Sequence, residues 1–277
     1  MKAPALCLET TPEQSVSAPP MLLFTGGKGG VGKTTLTADL GVQLARQGLR
    51  VLLVDLDLGL ANLDVVLRLS VERTLEDALQ GDCAFEDCIV RGPGGVHVLP
   101  ASSGSVPMGR LETARRDRLL AGLRQLAPDY DVILADSAAG IGHDVLTFSA
   151  TADHVFVVTT PTPAALTDAY GLIKALDAWG QDQGSEVPTP ELVINRVTGL
   201  EEAEVTAKKL RSVCERFLCR RPRTAGWLPF TATLRSTHPG ALPSRLGGAN
   251  SLYQNSLCRL AARVSRLIEG PVSRSRP

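Results

Sequence analysis

From Met21 onward, short unbroken apolar runs alternate with longer stretches in which apolar residues recur every three or four positions. The short runs predict buried strands at 21–25, 50–55, 96–99, 131–136, 154–159, 191–195 and 224–228. The longer stretches predict helices at 33–47, 73–80, 110–126, 163–178, 200–218 and 250–269, with Gly48 and Gly81 placed where glycines end helices. Strands that are apolar throughout are covered on both faces, so the alternation predicts an α/β fold: a doubly wound, mostly parallel sheet with helices on both sides. Residues 21–269 read as one domain, with the Gly/Pro-rich stretches 92–107 and 237–249 as loops inside it. Residues 1–20, rich in Pro, Ser and Thr, read as a disordered tail, and 270–277 as another.

The first strand runs directly into Gly27-Lys28-Gly29-Gly30-Val31-Gly32-Lys33-Thr34-Thr35, which fits G-x-x-x-x-G-K-[ST] in a strand–loop–helix context. The glycines let backbone N–H groups converge on phosphate oxygens, and the following helix offers its positive N-terminal end. Lys33 suits the β- and γ-phosphates, and the Thr34 hydroxyl suits Mg²⁺. The second strand ends in Asp55-Leu-Asp57, and the strand 131–136 closes on Asp136 followed by Ser137-Ala-Ala-Gly140. Carboxylates at the C-terminal edge of parallel strands sit where open α/β sheets bind ligands. A strand-end Asp is otherwise often only a helix cap.

The run K-G-G-V-G-K-T resembles the deviant P-loop (Walker A) motif of the MinD/ParA family of dimeric ATPases, and the resemblance covers Met21 to about Ile268. It implies a MinD-like P-loop NTPase fold, with ATP and Mg²⁺ as cofactors and an ATP-dependent homodimer in which Lys28 crosses to the partner's nucleotide. It also implies that Asp57 holds the attacking water, that Asp55 supports the Mg²⁺ shell and that Asp136 holds Mg²⁺ through water. Asn195 is implied to read the adenine edge, with Arg196 and Pro229 walling the base pocket; an amide can pair with both the donor and the acceptor of adenine. Ala138 stands where the family commonly has proline, a departure that bears on loop stiffness more than on chemistry.

Two stretches, Asp55-Leu-Asp-Leu-Gly-Leu-Ala-Asn62-Leu-Asp64 and Thr159-Thr-Pro161-Thr-Pro163-Ala-Ala-Leu-Thr-Asp168-Ala-Tyr170, resemble the flagellar number and placement branch of the family, FlhG, FleN or YlxH. The implied partners are the GTPase FlhF and flagellar basal-body proteins. The branch's short Asp-Gln-Ala element is not visible in residues 1–20, and no amphipathic extension follows the helix ending near Glu269. The other reading is a ParA-type partition ATPase that binds DNA without sequence preference. An iron–sulfur carrier on the same scaffold is disfavoured by the absence of C-x-x-C, and a tyrosine kinase by the scatter of Tyr130, Tyr170 and Tyr253.

Composition adds bounds. With 44% apolar and 21% charged residues the chain is globular in class. The most apolar stretch, 51–69, is broken by Asp55, Asp57 and Asp64, so no run reaches the ~18 residues of a spanning helix. The zero net charge conceals an asymmetry: residues 205–277 hold fourteen Lys and Arg against Glu215 and Glu269, a balance of +12, and the remainder carries −12. That basic quarter suits DNA or anionic lipid, or simply neutralises the acidic remainder. The start of the chain lacks a basic, then apolar, secretion pattern, so the expected compartment is the cytoplasm, with peripheral contact at the inner face of the membrane left open. Thiols there are expected to stay reduced, and most of the six cysteines to be packing residues. The apolar stripe of the last helix, Tyr253, Leu257, Leu260, Ala261, Val264, Leu267 and Ile268, is expected to pack on the core rather than on lipid.

Overall fold

The computed structural model describes residues 18–102, 111–231 and 251–269. The expected tails, for residues 1–17 and 270–277, and the loop segments 103–107 and 237–249 lie outside the described residues. Eight strands form one sheet in the order β3-β4-β2-β5-β1-β6-β7-β8. They are β1 (Met21–Gly26), β2 (Val51–Leu56), β3 (Val90–Arg91), β4 (His97–Leu99), β5 (Val132–Ala139), β6 (His154–Thr159), β7 (Glu191–Val197) and β8 (Thr224–Pro229). Every pairing is parallel except β3 with β4.

The described helices are α1 (Lys33–Arg46), α2 (Leu63–Leu67), α3 (Leu75–Gln80), α4 (Thr113–Leu126), α5 (His143–Thr151), α6 (Pro163–Gln183), α7 (Leu200–Leu218) and α8 (Ser251–Glu269). Successive side chains on a strand face opposite ways, so Leu22 and Phe24 of β1 enter the core under α1, α2 and α8, whereas Met21 and Leu23 enter the core under α3 to α7. This is the doubly wound arrangement expected from the apolar runs. The expected C-terminal glycines are in place: Gly48 and Gly81 take φ of 94° and 96°, and Gly81 caps α3.

Three elements were not anticipated. The strand β3 has only two residues, and α2 only five, too short for either period to register. In α5 the sequence Thr-Phe-Ser-Ala-Thr reads poorly as helix, yet the Thr147 and Thr151 hydroxyls donate to the carbonyls of His143 and Thr147 at 2.8 Å, turning their competing donors back onto the helix. Helix α6 extends past the expected 178 to Gln183, where Gly184 (φ 61°) stops it.

The last helix packs as expected. Tyr253, Leu257, Leu260, Ala261 and Val264 are buried in the cluster that also holds Leu36, Leu40 and Leu44 of α1. The two helices are further joined by polar contacts: the Tyr253 hydroxyl donates to Asp39 Oδ2 at 2.6 Å, and Gln254 Nε2 donates to Gln43 Oε1 at 2.9 Å. Part of the basic quarter is consumed internally. Arg220 pairs with Asp177, Arg221 with Glu215, and Arg263 with Glu191.

Candidate nucleotide-binding site

Strand β1 lies at the middle of the sheet, between β5 and β6, and its C-terminal end releases the loop 27–32 into α1. In this class of sheet the neighbouring chain crossovers diverge around such a strand, leaving a crevice at its carboxyl end. Lys33 is buried there, Thr34 and Thr35 are half-buried, and Lys28 is exposed. Gly29 and Gly30 have open space where a Cβ would stand, so their backbone borders room for a ligand. Gly30 (φ 78°) and Gly32 (φ 95°) take the left-handed conformation that side chains resist.

The base of the loop is held from three directions. A Cβ on Gly27 would lie 2.0 Å from the Asp168 carbonyl oxygen, so the backbone of α6 presses directly on the loop. Gly26 is similarly confined by the Val158 carbonyl of β6, and its own carbonyl accepts the Gly140 N–H at 3.0 Å. Asn195 Nδ2 donates to the Val31 carbonyl at 2.8 Å, while its Oδ1 accepts the Arg196 N–H at 2.8 Å. The close approaches at Gly26 and of the α6 backbone were missed by sequence reasoning. The doubled glycine before Lys28 was the available signal for the first, and the small Ala169 in the Thr-Asp-Ala-Tyr run for the second.

The carboxylates cluster beside the loop, because β2 pairs with β5 in a register that sets Asp55 opposite Asp136. Asp55 Oδ1 accepts the Asp57 N–H at 3.0 Å, and Oδ2 accepts those of Asn62 at 3.0 Å and Leu63 at 3.1 Å, so this side chain organises the whole 57–63 turn. Burial pushes its carboxyl up to about 6, against those backbone donors. Asp57 is half-buried and its Oδ1 accepts the Leu60 N–H at 3.1 Å. Asp136 is 1% exposed, and burial pushes it up to about 7; the Thr34 hydroxyl and the Lys33 charge oppose the shift, while Asp55 and Asp57 add to it. Its Oδ1 is buried without a hydrogen-bond partner. A cation fits this place: it would satisfy the orphaned oxygen and relieve the repulsion among three carboxylates.

Arg196, next to last in β7, takes φ 59°, an uncommon backbone for a residue with a side chain, and is exposed. Pro229 is buried at the end of the adjacent β8, so Asn195, Arg196 and Pro229 gather at one corner of the crevice.

The CobQ/CobB/MinD/ParA nucleotide binding domain matches residues 22–238, a span that contains all of these groups. The chain belongs to this family. It is a P-loop ATPase of this family. It is 38% identical over 215 residues to the antiactivator FleN of Pseudomonas aeruginosa, covering 78% of this chain and 75% of that one. It is 31% identical over 194 residues to the flagellum site-determining protein YlxH of Helicobacter pylori, covering 70% of this chain and 64% of that one. Among solved structures, MinD of Pyrococcus furiosus superposes with a TM-score of 0.69 at 25% identity, covering 90% of this chain and 99% of that one. The MinD of Pyrococcus horikoshii complexed with Mg-ADP gives a TM-score of 0.69 at 24% identity over 92% and 99% of the two chains, a likeness of fold.

Proposed function

We propose that this ATPase is a switch: MgATP closes a symmetric dimer, hydrolysis reopens it, and the two states differ in partner affinity, the output being control of flagellar number or placement. The observation that carries the dimer is Lys28. It is an exposed cation on the phosphate loop itself, and no hydrogen bond or ion pair holds it among the described residues. An unpaired cation on an anion-binding loop is best explained by a second anion, the nucleotide of a partner copy. Leu60 in the turn after β2 and Ile141 in the turn after β5 are 65% and 57% exposed at the same sheet edge, apolar surface of the kind a partner covers.

In the closed state Lys33 and the loop N–H groups hold the phosphates, and Lys28 of each copy neutralises those of the other. Asp57 orients the attacking water, which requires it to turn from the Leu60 N–H towards the phosphate. Thr34 and Asp136 would hold Mg²⁺, with Asp55 fixing the turn beside it; the ion supplies neutralisation of phosphate charge. Asn195, Arg196 and Pro229 bound the adenine. For Asn195 the contact with Val31 leaves one amide N–H and one oxygen lone pair for the base. Turnover is slow, because the site positions and stabilises charge but offers no strong base.

The flagellar output rests on the similarity to FleN and YlxH. On this reading the partners are an FlhF-type GTPase and basal-body proteins, and the protein works in the cytoplasm with peripheral membrane contact. No described helix is long and apolar enough to cross a membrane. Light scattering tests the switch: a monomer without nucleotide, a dimer with MgATP when hydrolysis is blocked, and loss of that dimer in Lys28→Ala with ATP binding retained. A nucleotide-independent oligomer unchanged by the substitution refutes it. Deleting the gene and counting flagella by electron microscopy tests the output. An unchanged count together with salt-dependent binding of random duplex DNA replaces it with the partition reading.

A further inference from the structure

The turn between α3 and β3, remote in function from the nucleotide crevice, holds two thiols in contact. Cys83 Sγ and Cys88 Sγ are 3.4 Å apart, with Cys83 half-buried and Cys88 1% exposed. The turn is framed on both sides of the pair. Ala84 N–H donates to Asp87 Oδ2 at 3.1 Å, Cys88 N–H donates to the Phe85 carbonyl at 3.2 Å, and the Phe85 ring lies so close on Gly122 of α4 that a Cβ there would meet it at 2.4 Å. The backbone around the thiols is therefore fixed by bonds that do not involve sulfur. The Cys88 thiol donates to the Thr74 carbonyl at 3.0 Å, and Thr74 is the residue that caps α3.

We propose that Cys83 and Cys88 form a reversible oxidation site that closes to an intramolecular disulfide when the protein meets a hydroperoxide. The sulfurs need to approach by about 1.4 Å to reach the S–S bond length, a movement within reach of side-chain rotation on the more exposed partner. The two roles follow from burial. Cys83 is the thiol that a hydroperoxide can reach. Cys88 is held as a thiol, its pKa pushed up to about 12 by burial and then by the adjacent Cys83, so it reacts only with an activated neighbour.

In the first step the Cys83 thiolate attacks a peroxide oxygen: an S–O bond forms, the O–O bond breaks, and the departing alkoxide or hydroxide takes up, through solvent, the proton the Cys83 thiol had released, leaving Cys83 sulfenic acid and an alcohol, or water from hydrogen peroxide. The sulfur loses two electrons and the peroxide gains them. In the second step Cys88 sulfur attacks Cys83 sulfur: the S–S bond forms, the S–O bond breaks, and the departing hydroxide takes the Cys88 proton as water. A dithiol reductant reverses the result by exchange. The closing step removes the Cys88 donor from the Thr74 carbonyl. The neighbouring Leu75 N–H donates to the Pro100 carbonyl at 2.8 Å and keeps the start of α3 tied to the end of β4. Cys214, Cys219 and Cys258 have no thiol in contact among the described residues.

The test treats the reduced full-length protein with hydrogen peroxide in slight excess, blocks remaining thiols with iodoacetamide, and maps peptides by mass spectrometry. The expected result is a cross-link between Cys83 and Cys88, lacking two hydrogens and reversed by dithiothreitol. Cys88→Ser is expected to yield Cys83 sulfenic acid trapped by dimedone, whereas Cys83→Ser leaves residue 88 alkylatable only after unfolding. Circular dichroism checks that both variants fold. Cross-links that favour Cys219 or Cys258, or oxidation of Cys83 to sulfinic acid with Cys88 still free, overturn the proposal.

Discussion

A buried carboxylate that binds no phosphate and no metal is a sharp test of the packing between α1 and α8. Asp39 is 2% exposed, its Oδ2 accepts from Tyr253, and its Oδ1 is buried without a partner. Burial raises its carboxyl from the ordinary 3.8 to about 7, while the Tyr253 hydrogen bond and the Arg46 charge pull it down. A raised folded value means that the native state holds a proton the unfolded chain has already lost. This contribution to stability is complete below about pH 4, declines as pH rises and is gone above about pH 7. At about 1.4 kcal/mol per unit the full loss is about 4 kcal/mol, and between pH 5 and pH 8 it is about 3 kcal/mol. The substitution Asp39→Asn removes the ionisation but keeps an oxygen for Tyr253. Its extra amide N–H groups carry a cost that does not vary with pH, so the quantity to read is the slope of the difference. Urea unfolding followed by circular dichroism at pH 5 and pH 8 is expected to show the variant gaining about 3 kcal/mol on the wild type, a relative midpoint shift of roughly 1 M. Asp55 and Asp136 titrate in the same range but are present in both proteins and cancel. Tyr253→Phe, which removes the lowering hydrogen bond, moves the window to higher pH. A difference between wild type and Asp39→Asn that is independent of pH refutes the reasoning.

Three further substitutions separate other roles. Lys33→Ala loses charge-assisted phosphate contacts, and its ATP affinity is expected to fall by roughly 10- to 100-fold in fluorescence titration, whereas Asp57→Ala retains ATP and accumulates the dimer; hydrolysis by Asp57→Ala at the wild-type rate refutes its place beside the water. Leu260, 1% exposed and in contact range of Gly226, loses about 2–5 kcal/mol of packing on truncation alone, and a buried carboxylate adds to that, so Leu260→Asp is expected to unfold much of the protein. A folded, ATP-binding Leu260→Asp protein that loses only liposome sedimentation makes α8 a lipid anchor instead.

The layering of the fold was legible because it is written in local periods. An unbroken apolar strand such as Leu22 to Phe24 has to be covered twice, and the two core clusters divide its side chains as that argument requires. The phosphate loop was legible because its chemistry is contiguous in sequence. What escaped was carried by distant contacts: Asn195 meets Val31 across 164 residues, and α6 presses on Gly27 from residue 168. Asp55 shows a different limit. Strand-end placement marked it as part of the site, but that its oxygens would take three backbone donors of the following turn depends on how that turn folds back. The reading of the basic quarter as neutralising the acidic remainder holds for Arg220 and Arg263, whose carboxylate partners lie on α6 and β7, whereas Arg221 pairs with Glu215 inside the quarter itself.

The contact between Gly27 and α6 has an evolutionary consequence. The atoms a Cβ would strike are the carbonyl carbon and oxygen of Asp168 and the amide nitrogen of Ala169, all main chain. No side-chain replacement on α6 can make room, so a larger residue at 27 has no single compensating change at 168. The two positions therefore drift under unequal rules. Residue 168 can change identity without disturbing the loop, while 27 stays glycine for as long as the helix runs where it does. Any descendant that loses this glycine must first re-route the helix axis, a step no point substitution supplies.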